Sequence, residues 1–324
     1  MVQKTLLPKI SKKTIKAPKS SLVLAVLLFL IFLFLPGQNI YETGFIKKKP
    51  PVANLPQSLP TPAPYPVNIS GILPPDLTAQ AVLVMDIPSQ VVLYQKNPKS
   101  RLSPASITKL MTALVALEQY KMEDILTVKT PIFEGRTMGL VPGERLTFEN
   151  LLYGTLVHSA NDAAYVLAEN YSGGVEKFVQ RMNEKASELF LTETNFANPV
   201  GFEENGHYTT AQDLARLATH ALQNPIIAKT VGTPAITVAD VSFTRFYQLE
   251  NVNQLLGKIP GVLGVKTGFT QNAGECLVTA VTKNGKKILI VILSSKDRFG
   301  ETQALIDWAF SNFIWESPVL PKQD

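Results

Sequence analysis

GVLGVKTGFTQNAGECLVTAVTKNGKKILIVILSS, residues 261–295, is the stretch whose reading decides the fold. Cys276–Thr282 and Lys287–Leu293 are β-type apolar runs joined through Lys283-Asn284-Gly285-Lys286. Asn-Gly supplies the two positive-φ residues that a tight hairpin needs. Far upstream, Ala81–Asp86 and Val91–Gln95 read as two more short strands, separated by the turn-forming IPSQ. Everything between has helical periodicity. Ser106–Leu117 places Ile107, Leu110, Met111, Leu114 and Leu117 on one stripe, and further helices are expected over Phe148–Val157, Asn161–Glu169, Val175–Leu189 and Thr210–Leu222. TTAQD at 209–213 is a helix-start signal, because a Thr hydroxyl accepts from an early backbone N–H and Asp213 suits the positive helix end. A last amphipathic helix is expected over Thr302–Phe313. Strands, helices, strands, helix: this order predicts one antiparallel sheet completed by both chain ends, with helices on its faces. No internal repeat of fixed period is visible.

At 324 residues, 45% of them hydrophobic, the chain is long enough for a sizeable core. The net charge of +5 is unevenly placed. Residues 1–50 hold nine Lys and one Glu, which is +8, so the other 274 residues are slightly acidic. A nucleic-acid binder keeps its positive charge on the folded body, so that class is excluded. The single cysteine, Cys276, rules out an intramolecular disulfide and reads as a buried strand thiol. His158, His207 and His220 have no metal-ligand spacing, so no metal is expected.

Leu22–Leu35 is an unbroken apolar run behind six Lys. It would rise about 21 Å as a helix, short of a hydrocarbon core of about 30 Å. Its length suits a signal peptide as well as an anchor; the absence of a clear cleavage site in LPGQNIYETG favours retention. Either way the basic flank is expected inside and the rest exported, giving a single-pass membrane protein, or a secreted one after cleavage. The nine Pro between Pro50 and Pro75 then read as an extended spacer.

Three short motifs carry chemistry. In Ser106-Ile107-Thr108-Lys109, residues three apart share a helix face, so hydroxyl and amine can meet. The amine acts as base only when neutral, which burial and a second cation favour. Ser159-Ala160-Asn161 offers a hydroxyl for proton relay and an amide to hold the lysine, or else a helix cap. Lys266-Thr267-Gly268 offers a cation and a hydroxyl to a carboxylate on a strand edge, with Gly268 leaving room for substrate backbone. A turn between strands is the other reading of that tripeptide.

The three triplets, in this order, are the signature set of the penicillin-recognising serine enzymes. SPASITKLMTALVALE, LTFENLLYGTLVHSANDAAYVLAE, NFANPVGFEENGHYTTAQDLARLA and GVLGVKTGFTQNAGECLVTA resemble the D-alanyl-D-alanine carboxypeptidases, the low-molecular-weight penicillin-binding proteins. The resemblance spans about residues 76–312. It implies an α+β, β-lactamase/transpeptidase-like fold: a central antiparallel five-stranded sheet flanked by helices, with a helical subdomain and a cleft at the junction. In the roles it implies, Ser106 attacks the carbonyl between two terminal D-alanines of a peptidoglycan stem peptide. Lys109 takes its proton, Ser159 passes one to the departing D-alanine, and Asn161 orients Lys109 and the peptide. Lys266 holds Lys109 neutral and, with Thr267, attracts the terminal carboxylate. Gly268 belongs to the same substrate-binding edge, and the N–H groups of Ser106 and Phe269 form an oxyanion hole. β-Lactams are implied as covalent inhibitors, and no cofactor is needed.

The expected organisation is a basic cytoplasmic segment over 1–19, a signal-anchor or signal peptide over 20–37, a Pro-rich linker over 38–75, a catalytic domain over 76–315 and a tail over 316–324. Family members often add a β-rich domain and a C-terminal amphipathic helix, so the membrane partner is expected at the N-terminus instead. A second departure is Val200 in Asn198-Pro199-Val200-Gly201, where His is common; it is expected to bear on a loop more than on the chemistry. The motifs leave a DD-endopeptidase open, and less so a serine β-lactamase, for which Glu169 and Glu176 lack the loop pattern of a deacylating carboxylate. A non-catalytic wall-binding protein is disfavoured by the completeness of the polar motif residues. His158 is set aside as a base, because Lys109 fills that role.

Overall fold

The computed structural model describes residues 19–34 and 63–318, and the chain divides into two compact units, Met1–Pro60 and Thr61–Asp324. In the first, helix α1 covers Lys19–Phe34. Its 16 residues rise about 24 Å at 1.5 Å each, too little for a hydrocarbon core of about 30 Å. Among the described residues no helix is long and apolar enough to cross a membrane. The expectations of a transmembrane anchor, a membrane partner and a single-pass membrane location are corrected accordingly. The rest of the basic segment and residues 35–62 lie outside the described residues.

The second unit runs, in chain order, β1 (Tyr65–Asn68), β2 (Ala81–Asp86), β3 (Val92–Lys96), a 3-10 turn (Ala105–Thr108) leading into α2 (Lys109–Gln119), β4 (Ile125–Thr127), β5 (Arg145–Thr147), α3 (Phe148–Leu156), α4 (Asn161–Glu169), α5 (Gly174–Glu188), α6 (Ala211–Ala221), α7 (Pro225–Val231), β6 (Ala235–Ala239), β7 (Phe246–Glu250), β8 (Val262–Thr270), β9 (Gly274–Lys283), β10 (Lys286–Ser295), α8 (Arg298–Asn312) and β11 (Phe313–Glu316). Five strands form one antiparallel sheet in the order β3-β2-β10-β9-β8. Both chain ends meet in it, since β2 pairs with β10.

Alternation within the strands explains the layering. Leu289, Val291 and Leu293 of β10 join the core shared with α2, α3, α4 and α6. Ile288, Ile290 and Ile292 point the other way, onto Leu305, Trp308 and Ala309 of α8. Because both faces are covered, β9 and β10 are apolar nearly throughout, and their period of two is hidden in the sequence. The Lys283/Lys286 hairpin closes through Asn284 and Gly285 at φ +50° and +73°. Thr210 caps α6 by accepting from the Asp213 N–H at 3.1 Å. The last helix starts four residues before its expected Thr302, because the Asp297 carboxylate accepts from the Gly300 N–H at 2.9 Å and caps it there.

The expected linker contains structure. Tyr65–Asn68 pairs antiparallel with Phe313–Glu316, so a strand lies within 38–75 and its partner reaches into the expected tail. Pro66 is tolerated because a two-stranded ribbon has a free outer edge. The two ribbons β4–β5 and β6–β7 and helix α7 also had no expected counterpart. The first two are short, of three and five residues per strand, and too brief for a periodic signal.

Candidate active site

The 3-10 turn before α2 starts under strain. Pro104 precedes Ala105, whose φ is +46°, a region that side chains other than Gly seldom adopt. This kink sets Ser106 on the wall of a cleft of about 1050 Å³, with Ser159, Asn161, Thr267, Gly268 and Phe269 on the same lining. Lys109 and Lys266 lie just behind it, both buried. All eight singled-out residues therefore converge on one place, from the 3-10 turn and the start of α2, the α3–α4 junction and edge strand β8.

Lys109 Nζ has three oxygen neighbours: Ser106 Oγ at 3.0 Å, Asn161 Oδ1 at 2.7 Å and the Val200 carbonyl at 2.6 Å. Asn161 Nδ2 donates to the Glu134 carbonyl at 2.8 Å, which fixes which end of the amide faces the lysine. Two of the three neighbours can only accept. They take two N–H groups, and a neutral amine then has its lone pair left for the Ser106 hydroxyl. Burial pushes the Lys109 amine down to about 7, against a smaller opposing pull from the Asp162 carboxylate.

Lys266 Nζ donates to Ser159 Oγ at 2.7 Å and to the Thr267 carbonyl at 3.2 Å. Its amine is held well below the usual lysine range, first by burial and then by the charges of Lys109, Arg298 and Arg136. Burial lowers both amines, and repulsion between the two cations adds to it.

Neither bland alternative describes the motifs. The cap position of α4 is Ala160, without a side-chain cap bond, and Ser159 sits in the α3–α4 junction at φ +60°. Lys266-Thr267-Gly268 lies inside strand β8, not in a turn. Gly268 lines the cleft, as expected of a bare substrate edge, and has a second reason to lack a side chain. A Cβ there would lie 3.0 Å from both Ala105 Cβ and the Pro104 carbonyl, so the bare position lets the nucleophile's own turn approach the sheet.

Sequence reasoning missed several participants. Arg298, at the start of α8, lines the cleft and donates from Nη1 to the Gly268 carbonyl at 2.7 Å. Its Nε is buried without a partner among the described residues. No local pattern marks it, since only the fold carries it beside β8. The 198–201 loop also touches the chemistry, through the Val200 main chain, where side-chain identity leaves no trace. Thr112 Oγ1 donates to the Pro199 carbonyl at 2.6 Å, and His207 bridges Thr108 Oγ1 (2.9 Å) and the Ala197 N–H (3.0 Å), so the loop is stitched to the nucleophile's helix. Because Ala197 donates to Nδ1, the His207 proton sits on Nε2; burial pushes its cation form down to about 4. His158, Glu169 and Glu176 do not line the cleft.

Gly201 is the tightest point. Its φ is +92°, and a Cβ would fall 2.0 Å from the Ala105 carbonyl oxygen. Gly201→Ala should therefore destabilise the fold by on the order of 3 kcal/mol, from positive-φ strain plus overlap with backbone that cannot step aside. Urea unfolding of both proteins, read as a lower midpoint at unchanged slope, checks it; an unchanged midpoint would mean the loop is free to move.

Comparison with known proteins places the chain in a family. The profile of the D-alanyl-D-alanine carboxypeptidase family matches residues 69–297. D-alanyl-D-alanine carboxypeptidase DacF of Bacillus subtilis is 36% identical over 245 residues, 72% of this chain and 63% of that protein. The D-alanyl-D-alanine endopeptidase of Pseudomonas aeruginosa is 35% identical over 231 residues, 70% of this chain and 73% of that protein. Among solved structures, the Streptomyces K15 DD-transpeptidase superposes with a TM-score of 0.70 at 30% identity, covering 74% of this chain and all of that one. The match spans less than two thirds of the length of DacF and of DacA from Haemophilus influenzae, at 63% and 64%.

Proposed function

We propose, from the premise that this chain belongs to the D-alanyl-D-alanine carboxypeptidase family, that it is a serine DD-peptidase of the penicillin-binding kind acting on peptidoglycan, and that its main reaction is removal of the terminal D-alanine from stem peptides. The observation that carries this reading is the Lys109 amine, buried, depressed to about 7 and held by two acceptors with its third contact on Ser106.

In the proposed reaction Ser106 Oγ attacks the carbonyl between the last two D-alanines while Lys109 takes the hydroxyl proton. Oxygen of the tetrahedral adduct is stabilised by the Ser106 and Phe269 N–H groups. An ideal Cβ at Gly268 would sit 3.2 Å from Ser106 N, so strand β8 runs directly alongside the first of these donors. Ser159, bonded to Lys266, hands its proton to the departing amine and is resupplied with the one Lys109 took from Ser106, which leaves Lys109 neutral again. The substrate's terminal carboxylate sits against Thr267, Lys266 and Arg298. Its arrival offsets the repulsion that pulls Lys266 down, so substrate binding favours protonation of that amine. Water then enters, the ester is hydrolysed, and Ser106 regains its proton. β-Lactams acylate the same oxygen.

The relative from Pseudomonas aeruginosa, an endopeptidase by name, supports a second reading in which cross-links are cut. Purified cross-linked muropeptides and monomeric pentapeptides should be digested side by side. Free D-alanine from the pentapeptide, with dimers persisting, is the expected result. Conversion of dimers to monomers at a comparable rate would establish the endopeptidase instead.

A further inference from the structure

Glu134, Gly135 and Arg136 cross the top of the cleft and are gripped from behind. The Asn161 N–H donates to the Arg136 carbonyl at 2.7 Å, and Asn161 Nδ2 to that of Glu134. Gly135 has φ +70°, and a Cβ there would lie 2.6 Å from Asn161 Nδ2. The root of Arg136 is thus fixed on the residue that holds Lys109. Its side chain is exposed, lines the cleft, and takes part in none of the ion pairs among the described residues. Its charge is felt inside, where it lowers the amine of Lys266 and the guanidinium of Arg298.

Three acidic residues on the same lining have other duties. Glu203 accepts from the Asn272 N–H at 2.8 Å, Glu204 from the Asn198 amide at 3.1 Å, and Glu275 from the Arg298 N–H at 2.9 Å. Glu134 neighbours Arg136 in sequence yet forms no ion pair with it. The terminal carboxylate of a stem peptide supplies one negative charge, which Lys266, Thr267 and Arg298 absorb. Arg136 stays unmatched, with a planar fork suited to bidentate carboxylate recognition.

We infer that Arg136 is a specificity-determining residue that takes a second carboxylate, carried on a side chain upstream of the bond to be cut. The preferred substrates are then stem peptides with a free side-chain carboxylate next to the D-alanyl-D-alanine, over those in which it is amidated or absent. This inference rests on the carboxypeptidase reading.

Two synthetic pentapeptides, identical except for a free or amidated side-chain carboxylate on the third residue, test it in the full-length protein. D-alanine release should give kcat/KM about tenfold higher for the free acid, the size of one charge-assisted contact discounted for exposure. In Arg136→Gln that ratio should fall to near one, and in Arg136→Glu it should invert. A wild-type ratio near one, or a ratio that survives Arg136→Gln, overturns the inference. So does an equal fall for both peptides, which would assign Arg136 to the terminal carboxylate. Penicillin labelling without release from either peptide sinks the carboxypeptidase reading and this inference together; equal release from both sinks this inference alone.

Discussion

Ser106→Ala should lower D-alanine release at least about 10,000-fold and abolish covalent labelling by benzylpenicillin, because residues of a nucleophilic set act as a unit and none replaces the attacking oxygen. The variant should fold normally. Ser106 is only half-buried, and the kink at Ala105 and the bond between Thr108 and His207 do not involve its hydroxyl. Intact-mass measurement after incubation with the drug gives the answer directly: one adduct on the wild type, mapping to the peptide that holds Ser106, and none on the variant. An undiminished adduct in Ser106→Ala would remove the nucleophile assignment. Of the neighbouring hydroxyls, Ser159 would be the first to suspect.

Lys109→Ala should reduce the rate of acylation about 1,000-fold, within the range for losing a positioned general base. Its pH dependence separates a base from a mere scaffold. The active form is the neutral amine, and burial sets its titration at about 7. The wild-type acylation rate should therefore rise with pH, level off above about 7, and fall about tenfold per pH unit below it. In Lys109→Ala that acid limb should disappear from the residual rate. Stopped-flow acylation by a chromogenic cephalosporin across pH 5 to 9, roughly the span over which one such group changes state, measures both. A wild-type profile flat through pH 7 would show that Lys109 is already neutral throughout, or that it never takes the proton.

How the lysine is tuned shows where local sequence stops informing. Ser106 and Lys109 three apart on a helix predict a hydroxyl next to an amine, and the bond is there at 3.0 Å. The spacing cannot say how deeply the amine is buried. That depends on Asn161, 52 residues on, and on the Val200 carbonyl, 91 residues on. The same holds at Gly268, whose close approach to Ala105 no local pattern announces. Arg298 and Arg136 carry no motif at all. Each becomes part of the cleft because a helix start or a loop delivers it there.

Local patterning determined the antiparallel sheet, the major helices and the three chemical triplets, because short apolar runs, period-3.6 stripes, Asn-Gly turns and helix caps are written within a few residues of one another. The short ribbons and the pairing of Tyr65–Asn68 with Phe313–Glu316 emerged only in three dimensions. So did the charge state of the cleft. Burial and repulsion between cations are properties of distance through space, and residues far apart in the chain acquire them only when the sheet closes around both ends.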